Sequence, residues 1–208
     1  MDKPAITTLD IHPVIRKRWS PRSFQTSVPV ETEKIQRIFE AARWAPSSFN
    51  EQPWRFIVGI KGDETWDKLH ACLAEFNQKW AHLAPVLVLT MGKKTFTKNG
   101  KDNKVYKYDL GASAAYMTFQ AYSEGLVMHQ MGGFSKEKAR ETFGIPDDFD
   151  PVSAIAIGYQ DVPERLIPEM EESERAPRKR HAPDQFVFSG KFGQSFPFDN
   201  RASSFETK

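Results

Sequence analysis

Apolar and polar positions along this chain alternate between helical and extended patterns. From Glu31 to Arg43, the residues Ile35, Ile38, Phe39 and Ala42 recur at helical spacing and predict an amphipathic helix with one buried face. A shorter amphipathic segment opens at Asp10–Ile11, ends near Arg18 and is broken by Pro21. Ala45–Pro46 ends the main helix, because the residue before proline avoids the helical region, and Ser47 to Gln52 reads as a polar loop. Trp54 to Ile60 reads as a strand, and Glu64 to about Trp80 as one helix with Trp66, Leu69, Leu73 and Phe76 on one side. Val86 to Met91, introduced by Pro85, is apolar throughout, as a central strand buried on both faces should be.

Lys93 to Lys107 is basic and polar, the pattern of an exposed loop. A long helix is expected from Asp109 to Glu124, stopped by Gly125, with Gly111, Ala112, Ala114 and Ala115 small enough to let another helix approach. Leu126 to Met131 reads as a strand ended by Gly132–Gly133. Ser135 caps a helix that runs to Phe143 and closes at Gly144, and Pro151 to Tyr159 is the last strand of the set. From Asp161 to Pro183 the chain is rich in Pro, Glu and Arg and could not order itself alone. The apolar Phe186–Val187–Phe188 beyond it implies that the tail docks, either as an edge strand of its own sheet or on a partner's. The mixed order of helices and strands predicts an α+β or α/β fold.

Composition narrows the function classes. The 208 residues suffice for one domain with a real core and are short for two. A net charge of +2 and a pI of 8.6 fall short of the one-sided basic excess expected of a nucleic-acid binder. The single Cys72 excludes an intrachain disulfide and a cysteine-rich metal or iron–sulfur centre. The first ten residues include Asp2, Lys3 and Asp10 with no apolar run, and no stretch is long enough to cross a bilayer, so the expected location is cytoplasmic and off the membrane.

Four segments could carry chemistry, each with an ordinary alternative. In Arg18-Trp19-Ser20-Pro21-Arg22, two guanidinium forks and a hydroxyl could grip a phosphate, each charge-assisted bond contributing roughly 1.5–3 kcal/mol; otherwise this is a solvated basic turn. The loop Ala45-Pro46-Ser47-Ser48-Phe49-Asn50-Glu51-Gln52-Pro53-Trp54-Arg55-Phe56 offers donors and acceptors to a heterocycle edge, or is a plain helix-to-strand turn. Gln130-Met131-Gly132-Gly133-Phe134 would let a flat ligand approach the backbone, or merely ends a strand. Arg178-Lys179-Arg180-His181 is by itself a surface charge run. A lone His129 in a strand is more often structural than catalytic, by roughly three to one. No Gly-x-Gly-x-x-Gly follows a strand, and no His-Glu-x-x-His metal spacing occurs.

Taken in order, these segments resemble the FMN-dependent nitroreductase family from about Ile11 to Phe188, with the Pro-Ser-Ser-x-Asn-x-Gln-Pro-Trp-x-Phe loop the most specific match. The resemblance implies an α+β fold with a central, mostly antiparallel sheet flanked by helices, in an intertwined homodimer with FMN at the subunit interface. It implies one FMN-binding domain over residues 1–188. Arg18, Trp19, Ser20 and Arg22 would hold the phosphate and ribityl end or the pyrimidine edge, joined at the phosphate by Arg178 and Arg180. Asn77 would set an amide against the ring, by a looser match. Gln130, Met131, Gly132 and Gly133 would lie along the isoalloxazine near N5. Pro46, Ser47, Ser48, Asn50 and, more weakly, Gln52 would come from the other subunit.

The activity so implied is transfer of hydride from NAD(P)H through flavin N5 to a nitroaromatic, quinone or enone, by a ping-pong sequence that needs no dedicated acid or base. Rival readings are other flavin chemistry on the same fold (dehalogenation or flavin fragmentation, with Lys93–Lys107 as a lid), a non-catalytic FMN binder, and a basic nucleic-acid module. The chain departs from the family in two places. Some members carry an acidic residue where Gly132 stands here. The aromatic tail Ser189–Lys208, with Phe192, Phe196, Phe198 and Phe205, matches no family motif and either packs on the partner, covers the site or frays.

Overall fold

The computed structural model describes residues 1–198. They fall into two compact units, one from Met1 to Ala176 and one beginning at Pro177. The first contains strands β1 (Trp54–Ile60), β2 (Val86–Lys93), β3 (Val127–Met131) and β4 (Phe149–Gly158). Its helices are α1 (Pro13–Lys17), α2 (Thr32–Arg43), α3 (Glu64–Cys72), α4 (Glu75–Ala81), α5 (Tyr106–Ser123), α6 (Lys136–Phe143) and α7 (Pro168–Arg175). The sheet runs β1-β2-β4-β3 with every neighbouring pair antiparallel, which bears out the expected α+β class.

β2 is interior and buried along nearly its whole length, as its unbroken apolar run requires. Its two-residue period separates two cores. Leu87, Leu89 and Met91 pack with Trp66, Leu69 and Trp80 beneath α3 and α4. Val86 and Val88 pack with Ile38, Ala42, Met117 and Ala121 beneath α2 and α5. Gly125 (φ +78°) and Gly144 (φ +60°) end α5 and α6 in the left-handed conformation that glycine adopts without steric cost. Of the small residues on α5, Ala114 is buried, whereas Gly111 is exposed with open space beside it.

β4 begins at Phe149, ahead of the expected Pro151. Pro151 is tolerated because the β2–β4 register shifts there, where a ladder donor is not required.

Two expectations are corrected. The single helix from Glu64 to Trp80 is broken at Leu73 and Ala74, both extended (ψ 150° and 149°). The break frees backbone for tertiary pairing: Leu73 bridges Phe134, and Ala74 N–H donates to Gly133 O at 2.9 Å. The polar run after Asp161 contains α7, with Pro168 in its first turn and Met170 and Glu174 buried on one face. One apolar residue is too narrow a stripe to read as a helix face.

The second unit is described to residue 198, so Phe205 lies outside the described residues. Phe188 bridges Ser195, and Phe196 N–H donates to Val187 O at 3.0 Å, so the apolar triplet pairs locally within its unit. Phe188 packs on Phe192 and Phe196 on Phe198, with ring centroids 4.9 and 5.0 Å apart.

Candidate functional site

The basic segment follows α1 and is held by backbone hydrogen bonds at several points. Arg18 N–H returns to Val14 O at 2.9 Å. Trp19 is buried beneath Lys3, whose Nζ lies 4.4 Å from the ring centroid, while Ser20 is exposed. The Pro21 carbonyl accepts from His129 Nδ1 on β3 at 3.0 Å. Arg22 N–H donates to Glu174 Oε1 at 2.7 Å, and its guanidinium lies 3.6 Å from Oε2. Arg22 Nε is buried without a hydrogen-bond partner among the described residues. A cleft of about 400 Å³ opens beside it, bounded by Phe76 and Lys79 of α4 and by Ile167, Glu169, Met170 and Ser173 around α7.

His129 is structural. Its ring packs on Trp80 with centroids 4.5 Å apart. Burial lowers its pKa to about 4, opposed by the Pro21 carbonyl and reinforced by the Arg22 charge. It is therefore neutral near pH 7, with the proton on Nδ1 facing that carbonyl. The unfolded chain binds the extra proton at higher pH than the fold does. The stability this contributes is full above pH ~6.5 and is lost as pH falls toward about 4, amounting to roughly 3 kcal/mol. Melting curves across that window should show a downward slope that is much flatter in His129→Gln.

The end of β3 supplies the second wall. Gly133 O accepts from Asn77 Nδ2 at 2.8 Å, so the helix break carries Asn77 to the glycine turn. A Cβ on Gly133 would stand 2.8 Å from that amide nitrogen, whereas a Cβ on Gly132 would meet nothing within 4 Å. Gly132 thus lies under open space. Met131 turns its side chain into the core, leaving only its backbone for a ligand. Gln130 is exposed on the opposite face, with Nε2 3.4 Å from Thr118 Oγ1.

The loop from Pro46 to Gln52 lies elsewhere, before β1 and against the start of α5. Ser48 N–H donates to Asp109 Oδ2 at 3.1 Å, and Ser47 Oγ accepts from Gln52 N–H at 3.0 Å. Phe49, Asn50 and Gln52 all have positive φ (52°, 56° and 52°). Left-handed non-glycine residues are uncommon, and three within four positions concentrate strain in this loop. β1 and β3 are the two edges of the sheet, three strand spacings or about 14 Å apart. The structure therefore joins Asn77 to the Gly132–Gly133 turn at the β3 edge, where the turn before Arg22 also meets His129, and sets Pro46, Ser47, Ser48, Asn50 and Gln52 at the opposite edge.

Arg178 and Arg180 belong to the second unit. Burial, then the charge of Arg180, lowers the pKa of Arg178.

Sequence reasoning missed Asp109 and Glu174, both buried carboxylates that hold the backbone of a candidate loop. Asp109, in the first turn of α5, could have been picked out as a helix-start acid. Glu174 sits in an acidic run with nothing to single it out. Glu51 was missed as well. Burial raises its pKa, but hydrogen bonds from Thr97 and the charges of Lys93 and Arg55 outweigh that and hold the carboxyl below its ordinary value.

Comparison with known proteins supplies the remaining context. The family model described as "Nitroreductase family" matches residues 15–79 and 62–159. A solved structure titled as an oxidoreductase containing FMN superposes with a TM-score of 0.85 at 34% identity, covering 91% of this chain and 96% of its own. A Bacillus subtilis protein named "Putative NAD(P)H nitroreductase YdgI" is 27% identical, over 74% of this chain and 90% of its own. An uncharacterised 15.4 kDa protein of Mycolicibacterium smegmatis is 33% identical, over 67% of this chain and 97% of its own. The matched segments take in the basic turn, the strained loop, Asn77 and the glycine turn, and the chain belongs to the nitroreductase family.

Proposed function

We propose that this chain is an NAD(P)H-dependent FMN oxidoreductase that reduces nitroaromatic, quinone or enone acceptors. The observation that carries this reading is the corner where Gly132 stands under open space beside Asn77. Along the same sheet edge, Arg22 Nε, a buried donor without a partner among the described residues, is the kind of group a bound cofactor would satisfy. The donor set fits FMN. Arg18, Ser20 and Arg22 offer charge and hydroxyl to a phosphate, and Trp19 offers backbone beside them. Gly132 and Gly133 offer backbone to a flat ring, along with the backbone of Gln130 and Met131. When bound, FMN supplies reversible hydride acceptance at N5.

The chain's own residues position and exclude rather than transfer protons. His129 is neutral and committed to the Pro21 carbonyl, so no acid is assigned to it. Glu174 holds the Arg22 backbone in place, and Asn77 fixes the glycine turn.

The split between sheet edges supports a homodimer. Pro46, Ser47, Ser48, Asn50 and Gln52 cannot reach the glycine corner of their own chain across about 14 Å of sheet. A second copy related by two-fold symmetry can present them there. Arg178 and Arg180 are further proposed phosphate ligands. Among the described residues no helix is long and apolar enough to cross a membrane.

Arg18→Ala tests the phosphate assignment. It should weaken FMN about ten- to a hundredfold, the loss of one or two charge-assisted bonds, while the apo protein's melting temperature changes little. Equal loss of FMN binding and of melting temperature would make Arg18 a structural residue instead.

A further inference from the structure

The segment between β2 and α5 is a small hairpin rather than a loose loop. Phe96 N–H donates to Lys101 O and Asn103 N–H to Lys94 O, at 2.8 and 2.7 Å, and Thr95 bridges Asp102. The hairpin is pinned to the strained loop through Glu51, whose carboxylate accepts from the Thr97 N–H at 2.9 Å and from the Thr97 hydroxyl. Phe49 and Phe96 meet edge to face with centroids 5.8 Å apart.

Between the two segments lies a cavity of about 400 Å³, bounded by Phe49, Phe96, Lys98, Asn99, Lys101 and Asp102 over the Glu51 carboxylate. That volume is within the range of small-molecule sites. Residues 93–104 carry five lysines against one acid, Asp102. Glu51 is already met by Thr97 and by Lys93 at 3.8 Å, so its charge is largely answered. Phe49 is 92% exposed and left-handed, a costly way to hold a ring. Its free face suits a planar ligand. Of the five lysines, Lys98 and Lys101 line the cavity, facing Asp102 and the already answered Glu51, so it offers aromatic faces beside a small excess of positive charge, which suits an aromatic ring bearing a phosphate.

We propose that this cavity binds the adenosine 2′-phosphate end of NADPH, with the adenine against Phe49 and Phe96 and the 2′-phosphate on Lys98 and Lys101. The proposal rests on the oxidoreductase reading above and adds a choice of donor to it. Phe49 and Glu51 face the cavity, while Ser47, Ser48 and Asn50 are assigned to the flavin. One loop then serves donor and cofactor at once. Exposed lysines hold an anion weakly and in a salt-sensitive way, which suits a donor that must leave before the acceptor enters.

The probe is 2′,5′-ADP, titrated calorimetrically into the FMN-loaded protein and its Lys98→Ala/Lys101→Ala variant, alongside steady-state kinetics with NADPH and NADH. The wild type should bind 2′,5′-ADP competitively with NADPH and prefer NADPH to NADH. The double variant should weaken 2′,5′-ADP, and lower the NADPH-to-NADH preference in kcat/KM, by about tenfold each. Phe96→Leu should weaken 2′,5′-ADP while retaining the lysine charge. Absence of 2′,5′-ADP binding, an unchanged preference, or a KM rise confined to an anionic quinone acceptor would each overturn the proposal. Failure of the parent reading is a separate result, namely a chain that retains no FMN and oxidises neither dinucleotide.

Discussion

Glu174→Ala is expected to destabilise the protein by roughly 2–4 kcal/mol, the cost of leaving two backbone donors without their buried acceptor. The melting temperature should fall by about 10 °C for a chain of this length. Glu174 is 2% exposed, and it accepts from the backbone N–H groups of Arg22 and Ser23 at 2.7 and 3.4 Å. Truncation leaves both donors and the Arg22 guanidinium without their acceptor inside the fold, and unsatisfied buried groups lose their full hydration energy. Glu174→Gln retains one acceptor oxygen and should cost about half as much. The exposed neighbour Arg175, in ion pairs with Glu164 and Glu171, is the control, since its alanine variant should melt close to the wild type. Because Glu174 holds the turn that carries Arg22, FMN retention should fall together with stability. Differential scanning calorimetry of the three apo variants checks the order. An Ala variant that melts like the wild type would remove Glu174 from the account.

Gly132→Ala should do the opposite, leaving the apo fold intact and damaging the site. A Cβ there meets no protein atom within 4 Å, and Gly132 is not among the glycines with positive φ, so an alanine fits the backbone. A flat ring laid on that backbone would be lifted by the added methyl. Overpacking of that kind costs roughly 1–3 kcal/mol, or about ten- to a hundredfold in FMN affinity. Gly133→Ala differs in kind, because its Cβ would stand 2.8 Å from the Asn77 amide and disturb the turn itself.

The fold was legible wherever one local signal decided the outcome. β1 runs from Trp54 to Ile60 as its apolar pattern predicts, and Ser135 and Gly144 bound α6 as their capping chemistry predicts. Signals failed where tertiary partners overrode local preference. Leu73 and Ala74 continue a helical pattern, yet they leave the helix to pair with Phe134 and Gly133. α7 buries only Met170 and Glu174, so the segment reads as a polar tail until the Arg22 backbone is placed against it. The site was legible as a set of motifs but not as a geometry. Nothing in Pro46-Ser47-Ser48 reveals that this loop sits at the opposite sheet edge from Gly132, because strand order is a long-range property. Positive φ at Phe49 has no signature either, since the residue is not one that favours that conformation.

The most direct test of the central claim is a side-by-side FMN titration of apo wild type and Gly132→Ala, followed by anaerobic NADPH addition and paired with melting curves of both apo proteins. The wild type should saturate at one FMN per chain, and its visible flavin absorption should bleach on reduction. The variant should bind about ten- to a hundredfold more weakly while melting at the same temperature. A wild type that gains no flavin absorption, or a variant that binds FMN as tightly as the wild type, would contradict it.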